Sequence, residues 1–482
     1  MNASAALTLY VMGTATVLAF VLAVVPLPAR WRRLPEIMGL AGVVATLVIA
    51  AVQWGERQVA FNGELRIDRF GLLLTVAIML ATAATIVLSW GEPSAAGRRP
   101  EFTGLVLAAA TGMMLTVMSG DLILLFVGIE LLSVSLYILC AIEVARERSL
   151  ESGLKYLITG AIGTALLIYG FALLYGVTGT TSLAGIAERL GAVDSPASQP
   201  LLVAAIGLIV VALGFKASAV PFHMWTPDVY QGAPTPVTAF MSTGTKVAAL
   251  GAFLLVFTGA AQQVSGDWRV LIGAMAAITM VVGNVGALLQ RNVTRMLAWS
   301  GIAQAGYLLI GVAVGTLAGA EALIYYLFAY VAMTLAAFSI VILREREVEN
   351  GDMLESFTGY GRRRPWAGVV MTLAMLSLAG FPPLAGFVGK FLLFGSAVDA
   401  GMTWLAIVGA VASVISVVYY LRVVVVMWAA PEGSAPAERR LRVPASVASV
   451  GALGAVAVIA LAIWAQPVLD LCADAARALM LP

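Results

Sequence analysis

One histidine, two cysteines and four lysines are all that this 482-residue chain offers of the residue types on which most site chemistry rests. Cys140 and Cys472 lie far apart in unlike surroundings and His223 stands alone, so neither a disulfide framework nor a zinc or haem ligand set can be assembled. Charge is scarce as well. Only 11% of residues are charged and 61% are hydrophobic, against a charged share of about a quarter in soluble globular domains. A soluble domain is thereby excluded, and with a net charge of +2 no nucleic-acid partner is expected. The apolar residues come as solid runs without dyad alternation, which argues against a transmembrane β-barrel.

What remains is an all-α polytopic membrane protein. Runs of about 20 apolar residues are what a hydrocarbon core of about 30 Å asks of a helix. Fourteen spans are predicted, near 5–25, 36–54, 70–90, 102–119, 121–143, 152–178, 200–218, 235–258, 268–289, 297–316, 320–343, 366–396, 402–429 and 445–465. No Ala-x-Ala cleavage site follows the first, so it reads as retained. Seventeen loop arginines fall in odd-numbered loops and six in even-numbered ones. The positive-inside rule then sets both termini on the outer, periplasmic face of a bacterial inner membrane.

Every lysine (Lys155, Lys216, Lys246, Lys390) falls inside a predicted span, whereas every base in a loop is an arginine. Arginine stays protonated in essentially any protein environment, while a desolvated lysine gives up its proton readily, so only lysine can load and unload a proton in a buried site. A genome that favours arginine codons would produce similar loops, yet something must still exclude arginine at those four positions.

The parts outside the spans are small. Alternation in Gln58–Ile67 around Asn62-Gly63 predicts an outer-face hairpin with a two-residue turn. Ser182–Leu190 reads as a short surface helix and the tail after Pro467 as an amphipathic one. The loop Arg344–Arg364 mixes both charge signs and reads as solvated.

The run from Gly207 to Gly251 is interrupted by Pro221, His223, Pro227, Asp228, Pro234 and Pro236, with Lys216 before the interruption and Lys246 after it. A second interruption, Gly380-Phe381-Pro382-Pro383, precedes Lys390. Residues 101–262 (spans 4–8) and 263–430 (spans 9–13) therefore read as two five-helix repeats, each with a broken helix. An odd-numbered unit must insert upside down the second time, and inverted repeats with broken helices mark secondary transporters. Residues 1–100 form an N-terminal three-helix segment with the hairpin, and 431–482 the last span and tail.

Glu130 sits deep in DLILLFVGIELLSVSLYIL, where a carboxylate costs about 2.5 to 3.5 kcal/mol unless it finds a partner or water. Lys155 and Lys216 are the expected partners, and such a pair can switch proton release or simply fix helix packing. His223 is a candidate relay. Asp228 and Tyr230 read as a cap and an anchor.

The run VPFHMWTPDVYQGAPTPVTAFMSTGTKVAA closely resembles the signature of the subunit N family of bacterial proton-pumping NADH:quinone oxidoreductase, respiratory complex I. The glutamate of IELLSVSLY, the GLKYL at 153–157, WSGIAQAGY at 299–307 and AGFPPLAGFVGKF at 379–391 resemble its further motifs in the expected order. The resemblance maps proton-path residues onto Glu130, Lys155, Lys216, Lys246 and Lys390, and leaves Gln304 where the second repeat would hold a counterpart of Glu130. It favours the N type over the related M type, which carries a glutamate at the position of Lys390, and over the L type, with its long lateral helix.

It also implies that flavin, iron–sulfur clusters and the quinone site belong to partner subunits, and that homologous antiporter-like subunits are neighbours in the lipid bilayer. The implied function is redox-driven proton translocation without a redox centre in this chain. The alternatives are an Mrp-type cation/proton antiporter subunit and a non-conducting structural subunit of the membrane arm.

Overall fold

The computed structural model describes residues 6–24, 31, 33–90, 99–192, 199–430 and 443–480. Arg30, Arg32, Arg98, Arg439, Arg440 and Arg442 of the loop tally lie outside the described residues. The chain opens with α1 (Leu7–Val24), α2 (Leu34–Val52) and α3 (Arg69–Leu88). Between the last two, β1 (Gln58–Ala60) and β2 (Leu65–Ile67) pair antiparallel, Ala60 with Leu65. That register is centred on Asn62-Gly63 as expected, but the loop has four residues, not two. Phe61, Asn62 and Gly63 all take positive φ (53°, 57° and 97°) and close a 3-10 turn, so the innermost pair is not made. Arg66 N donates to Met118 O at 2.8 Å, which ties the hairpin to the segment leading into the fifth helix.

Next come α4 (Arg99–Val117), α5 (Leu122–Cys140), α6 (Glu147–Thr178) and the short α7 (Leu183–Gly191), which turns Leu183, Ile186 and Leu190 inward. A broken region follows: α8 (Pro200–Ala217), α9 (Trp225–Gly232) and α10 (Thr235–Phe253), the last extended by a π-helical stretch to Ala260. The second half holds α11 (Ser265–Leu288), α12 (Val293–Ala313), α13 (Leu317–Glu347), the single turn α14 (Tyr360–Arg363), the broken pair α15 (Pro365–Ala379) and α16 (Ala385–Asp399), and α17 (Thr403–Trp428). α18 (Ala445–Ile463) and the amphipathic α19 (Ala465–Ala478) close the chain.

Helix starts follow their caps. Asp68, Asp121 and Asn292 each accept a first-turn N–H through the side chain, and prolines stand in the first turns of α2, α8, α10 and α15, where no N–H is needed. Twelve helices among the described residues are long and apolar enough to cross a membrane, and Leu7–Ala23 and Pro365–Ala379 are shorter apolar segments. Each predicted span falls on a helix, the one at 366–396 on the broken pair α15 and α16. α10 is enclosed on every side, α12 and α13 nearly so, while α6, α17 and α18 turn a broad face outward. The core is thus built on α10, α12 and α13, the segments that border the breaks or pack across them.

The loop Arg344–Arg364 is solvated only in part. It starts inside α13, where Arg344 (0% exposed) pairs with Glu347 (2%) at 3.4 Å, Arg364 reaches Glu347 at 3.0 Å, and the Arg344 guanidinium lies 4.6 Å from the Tyr360 ring centroid, while Glu349, Glu355 and Arg362 are exposed. Alternating signs close in sequence supply their own counter-charges, which is what makes burial tolerable.

Candidate functional site

Both breaks are made the same way. α8 stops because Ser218 adopts a left-handed conformation (φ 63°) just ahead of Pro221, which has no N–H to offer. α15 stops at Gly380 (φ 91°), ahead of Pro382 and Pro383. Each stop releases carbonyls that have no partner inside their own helix, at the negative end of the helix dipole. A lysine answers at each. Lys246, fully enclosed in α10, donates to Ala217 O at 3.0 Å. Lys390, in α16, donates to Leu378 O and Ala379 O at 3.1 Å each and to Ser413 Oγ at 3.0 Å. Both breaks thus have a lysine on the carbonyls they release, but from different places: Lys390 from the half-helix that follows its own break, and Lys246 from the next span, so that by span order Lys216 remains the counterpart of Lys390.

Lys216 does something else. Its Nζ donates to Ser133 Oγ at 2.6 Å and lies 5.5 to 5.8 Å from the ring centroids of Tyr156, Phe215 and Tyr137. Ser133 and Tyr137 share a face of α5 with Glu130, being three and seven residues on. Glu130 is only half-buried, and it accepts a hydrogen bond from Thr164 Oγ1 at 2.6 Å. Among the described residues it makes no ion pair; the expected lysine contact is replaced by a hydroxyl of α6, with Lys216 in electrostatic range.

A hydrogen-bonded series leads toward Lys390 from Ser300, next to the glycine that Lys246 packs against. Lys246 packs against Gly301 of α12, where an added Cβ would stand 3.6 Å from Lys246 Cε and 3.2 Å from Tyr330 Oη. The neighbouring Ser300 Oγ shares a 2.5 Å hydrogen bond with Tyr420 Oη. Gln304 then donates to Tyr420 Oη (3.2 Å) and to Leu378 O (3.0 Å), the carbonyl that Lys390 also holds, and accepts from Tyr326 Oη (2.6 Å). Lys390 lies 4.5 Å from the Tyr307 ring centroid. Ser300, Gln304, Tyr326 and Tyr420 were not singled out from the sequence as path residues. The signal lay within WSGIAQAGY, which places two polar residues one turn apart in an otherwise apolar span.

Lys155 and His223 stand apart from this line. Lys155 is 44% exposed and pairs with Glu151 (2.7 Å) and Asp228 (3.1 Å); Asp228 also pairs with Arg295 of α12 at 2.7 Å. Together with Arg148 and Gln231 they line a cavity of about 240 Å³ on the protein surface. Asp228 is thus a charge hub, not only a cap. Burial by itself would raise its carboxyl, but hydrogen bonds from Arg295 and Lys155 outweigh it and hold the group below the usual carboxylate range. His223 is buried, with its ring edge-on to Trp299 at 5.3 Å and its Nδ1 unpartnered among the described residues.

Buried lysines bound to the released ends of two interrupted helices, in a bundle of membrane-length helices, define an antiporter-like membrane subunit. The family model described as NADH:quinone oxidoreductase/Mrp antiporter, TM, matches residues 119–416. The chain belongs to this family, among the members named NADH-quinone oxidoreductase subunit N. The subunit N 1 protein of Herpetosiphon aurantiacus is 43% identical over 401 residues, 82% of each chain, and the subunit N protein of Desulforamulus reducens is 36% identical over 477 residues, 98% of each. A chain of respiratory complex I from Thermus thermophilus, solved with bound aureothin, superposes with a TM-score of 0.82 at 36% identity, covering 97% of this chain and 99% of that one. A chain of the Mrp complex from Dietzia sp. DQ12-45-1b reaches 0.88 at 24% identity over 99% and 98%, a likeness of fold alone.

Proposed function

We propose that this chain is a proton-translocating membrane-arm subunit of an NADH:quinone oxidoreductase. It would lie in the bacterial inner membrane with both termini on the outer face, beside homologous antiporter-like subunits. Flavin, iron–sulfur clusters and quinone belong to partner subunits in this reading, and this chain contributes no redox centre. The observation that carries it is the polar line from Lys246 past Gly301 and through Ser300, Tyr420 and Gln304 to the carbonyl that Lys390 holds. The two breaks, each in the fourth span of its block, support reading 101–262 and 263–430 as inverted repeats.

Redox chemistry elsewhere displaces charge near the Glu130 end. Withdrawal of a counter-charge removes electrostatic support from the Lys216 ammonium, which then releases a proton toward Lys246, bonded to the carbonyl of the residue next to Lys216. Water and the hydroxyls of Ser300 and Tyr420 carry it on to Lys390. Moving one charge against the membrane potential takes about 2.3 kcal/mol per 100 mV. Since about 1.4 kcal/mol changes a binding constant tenfold, a change of roughly fiftyfold in proton affinity per 100 mV suffices.

Lys216→Arg keeps the charge and removes the titration. In vesicles holding the intact complex, pumped protons per electron should fall; wild-type stoichiometry in this variant would sink the mechanism. An Mrp-type antiporter, which the fold likeness also accommodates, would instead support sodium/proton exchange without NADH.

A further inference from the structure

The arginine-rich side of the bundle holds a second feature, far from the lysine line in sequence and lined by none of its residues. The start of α2, the end of α3, the last turn of α13 and the start of α18 surround an open cavity of about 640 Å³. Arg33 and Arg346 reach it from two different elements, Ser446 and Ser449 from a third, and Val87 and Trp90 close its wall. The Arg33 guanidinium stands 5.2 Å from the Trp90 ring centroid, and Arg346 Nη2 is held by Leu88 O at 3.1 Å, so both cations are fixed at the cavity. α18 begins after Pro444 with no side-chain cap, and Pro444 and Ala445 border the same space.

Two guanidiniums, two hydroxyls and uncapped amides are a donor set for phosphate oxygens. A tryptophan at the end of a membrane span, beside an apolar wall, marks the depth at which lipid headgroups lie. Basic pockets between membrane helices on the arginine-rich side take up anionic headgroups. From this we infer that the cavity binds a phosphate group, carried by an anionic phospholipid such as phosphatidylglycerol or present as the free anion. The apolar Val87 and the position at the helix ends favour the lipid.

The test uses the intact complex in phosphatidylcholine vesicles carrying a minor fraction of a photoactivatable phosphatidylglycerol or, separately, phosphatidylcholine analogue, with labelled peptides mapped by mass spectrometry. The phosphatidylglycerol analogue should label the Trp90 and Ser446–Ser449 segments in excess of the phosphatidylcholine one. Labelling should fall roughly fivefold in Arg33→Gln, return in Arg33→Lys, and vanish in Ser449→Trp, which fills the cavity without touching its charge. Inorganic phosphate at constant ionic strength separates the sources: full protection assigns the site to the free anion, and protection by unlabelled phosphatidylglycerol alone assigns it to lipid. Equal labelling by the two analogues, unchanged in Arg33→Gln, overturns the proposal.

Discussion

Tyr420 gives the proposed path its sharpest test, because one oxygen there joins two residues of α12 that stand a turn apart. Tyr420→Phe removes that oxygen and nothing else. Ser300 Oγ loses its 2.5 Å bond, whereas Gln304 keeps Leu378 O and Tyr326 Oη. One newly unpaired buried hydroxyl costs about 1 to 3 kcal/mol. If a proton must cross the same gap without its relay and the barrier rises by a comparable amount, transfer slows by roughly 5- to 150-fold. The assay is proton uptake per NADH oxidised in vesicles of the intact complex, with assembly checked by yield. Tyr325→Phe serves as control. It deletes the same atom from a tyrosine of α13 whose hydroxyl donates to Leu461 O at 2.8 Å, outside this line. The expected result is lowered stoichiometry in Tyr420→Phe and a wild-type ratio in Tyr325→Phe. Equal losses in both, or none in Tyr420→Phe, would refute the route.

Asp228→Asn should cost about 0 to 1 kcal/mol of stability, since it and its partners are 31 to 44% exposed. Its carboxyl is held low in the folded protein, so the stabilisation is present above the unfolded value of about 3.9 and lost as pH falls through the lower folded one. Thermal melts of wild type and variant should accordingly differ at neutral pH and converge in strong acid; a constant difference would show that charge is not its source. Gly380→Ala places a Cβ 3.1 Å from Lys390 Cδ in a backbone at φ 91°, a strain of about 1 to 3 kcal/mol. It should depress pumping more than assembly, and unimpaired pumping would show that Lys390 tolerates displacement.

The spans were legible because a bilayer admits few alternatives to a long apolar helix, and the two breaks because proline and glycine punctuate them. Asn62-Gly63 fixed the centre of the hairpin but not the length of its loop, which depends on whether the innermost pair closes. The lysines were legible as chemistry and illegible as geometry. Nothing in the order of residues says that Lys246, not Lys216, meets the end of α8, since that requires α10 to fold back across the break. Tyr420, Ser300 and Gln304 were hidden for a related reason: each is an ordinary residue for a membrane helix, and only the packing of α12 against α17 makes them consecutive. The burial of Arg344 and Glu347 was concealed by a loop composition that suits solvent equally well.

The acceptor of Lys246 is a peptide carbonyl, and two of the three acceptors of Lys390 are carbonyls, with no carboxylate among them. An ammonium has three hydrogens to donate, and the neutral amine left after one departs still has two. A carbonyl capped by either form remains satisfied, whereas a buried carboxylate would be stranded as an uncompensated charge the moment its lysine became neutral. At Lys246 the single carbonyl bond survives the change of charge, and at Lys390 the two carbonyls keep the amine's two hydrogens while the Ser413 hydroxyl can turn to donate to the freed lone pair. Occupied and vacant states become two ionisations of a single architecture, and the work of alternating between them can go into the proton instead of into refolding the helix ends.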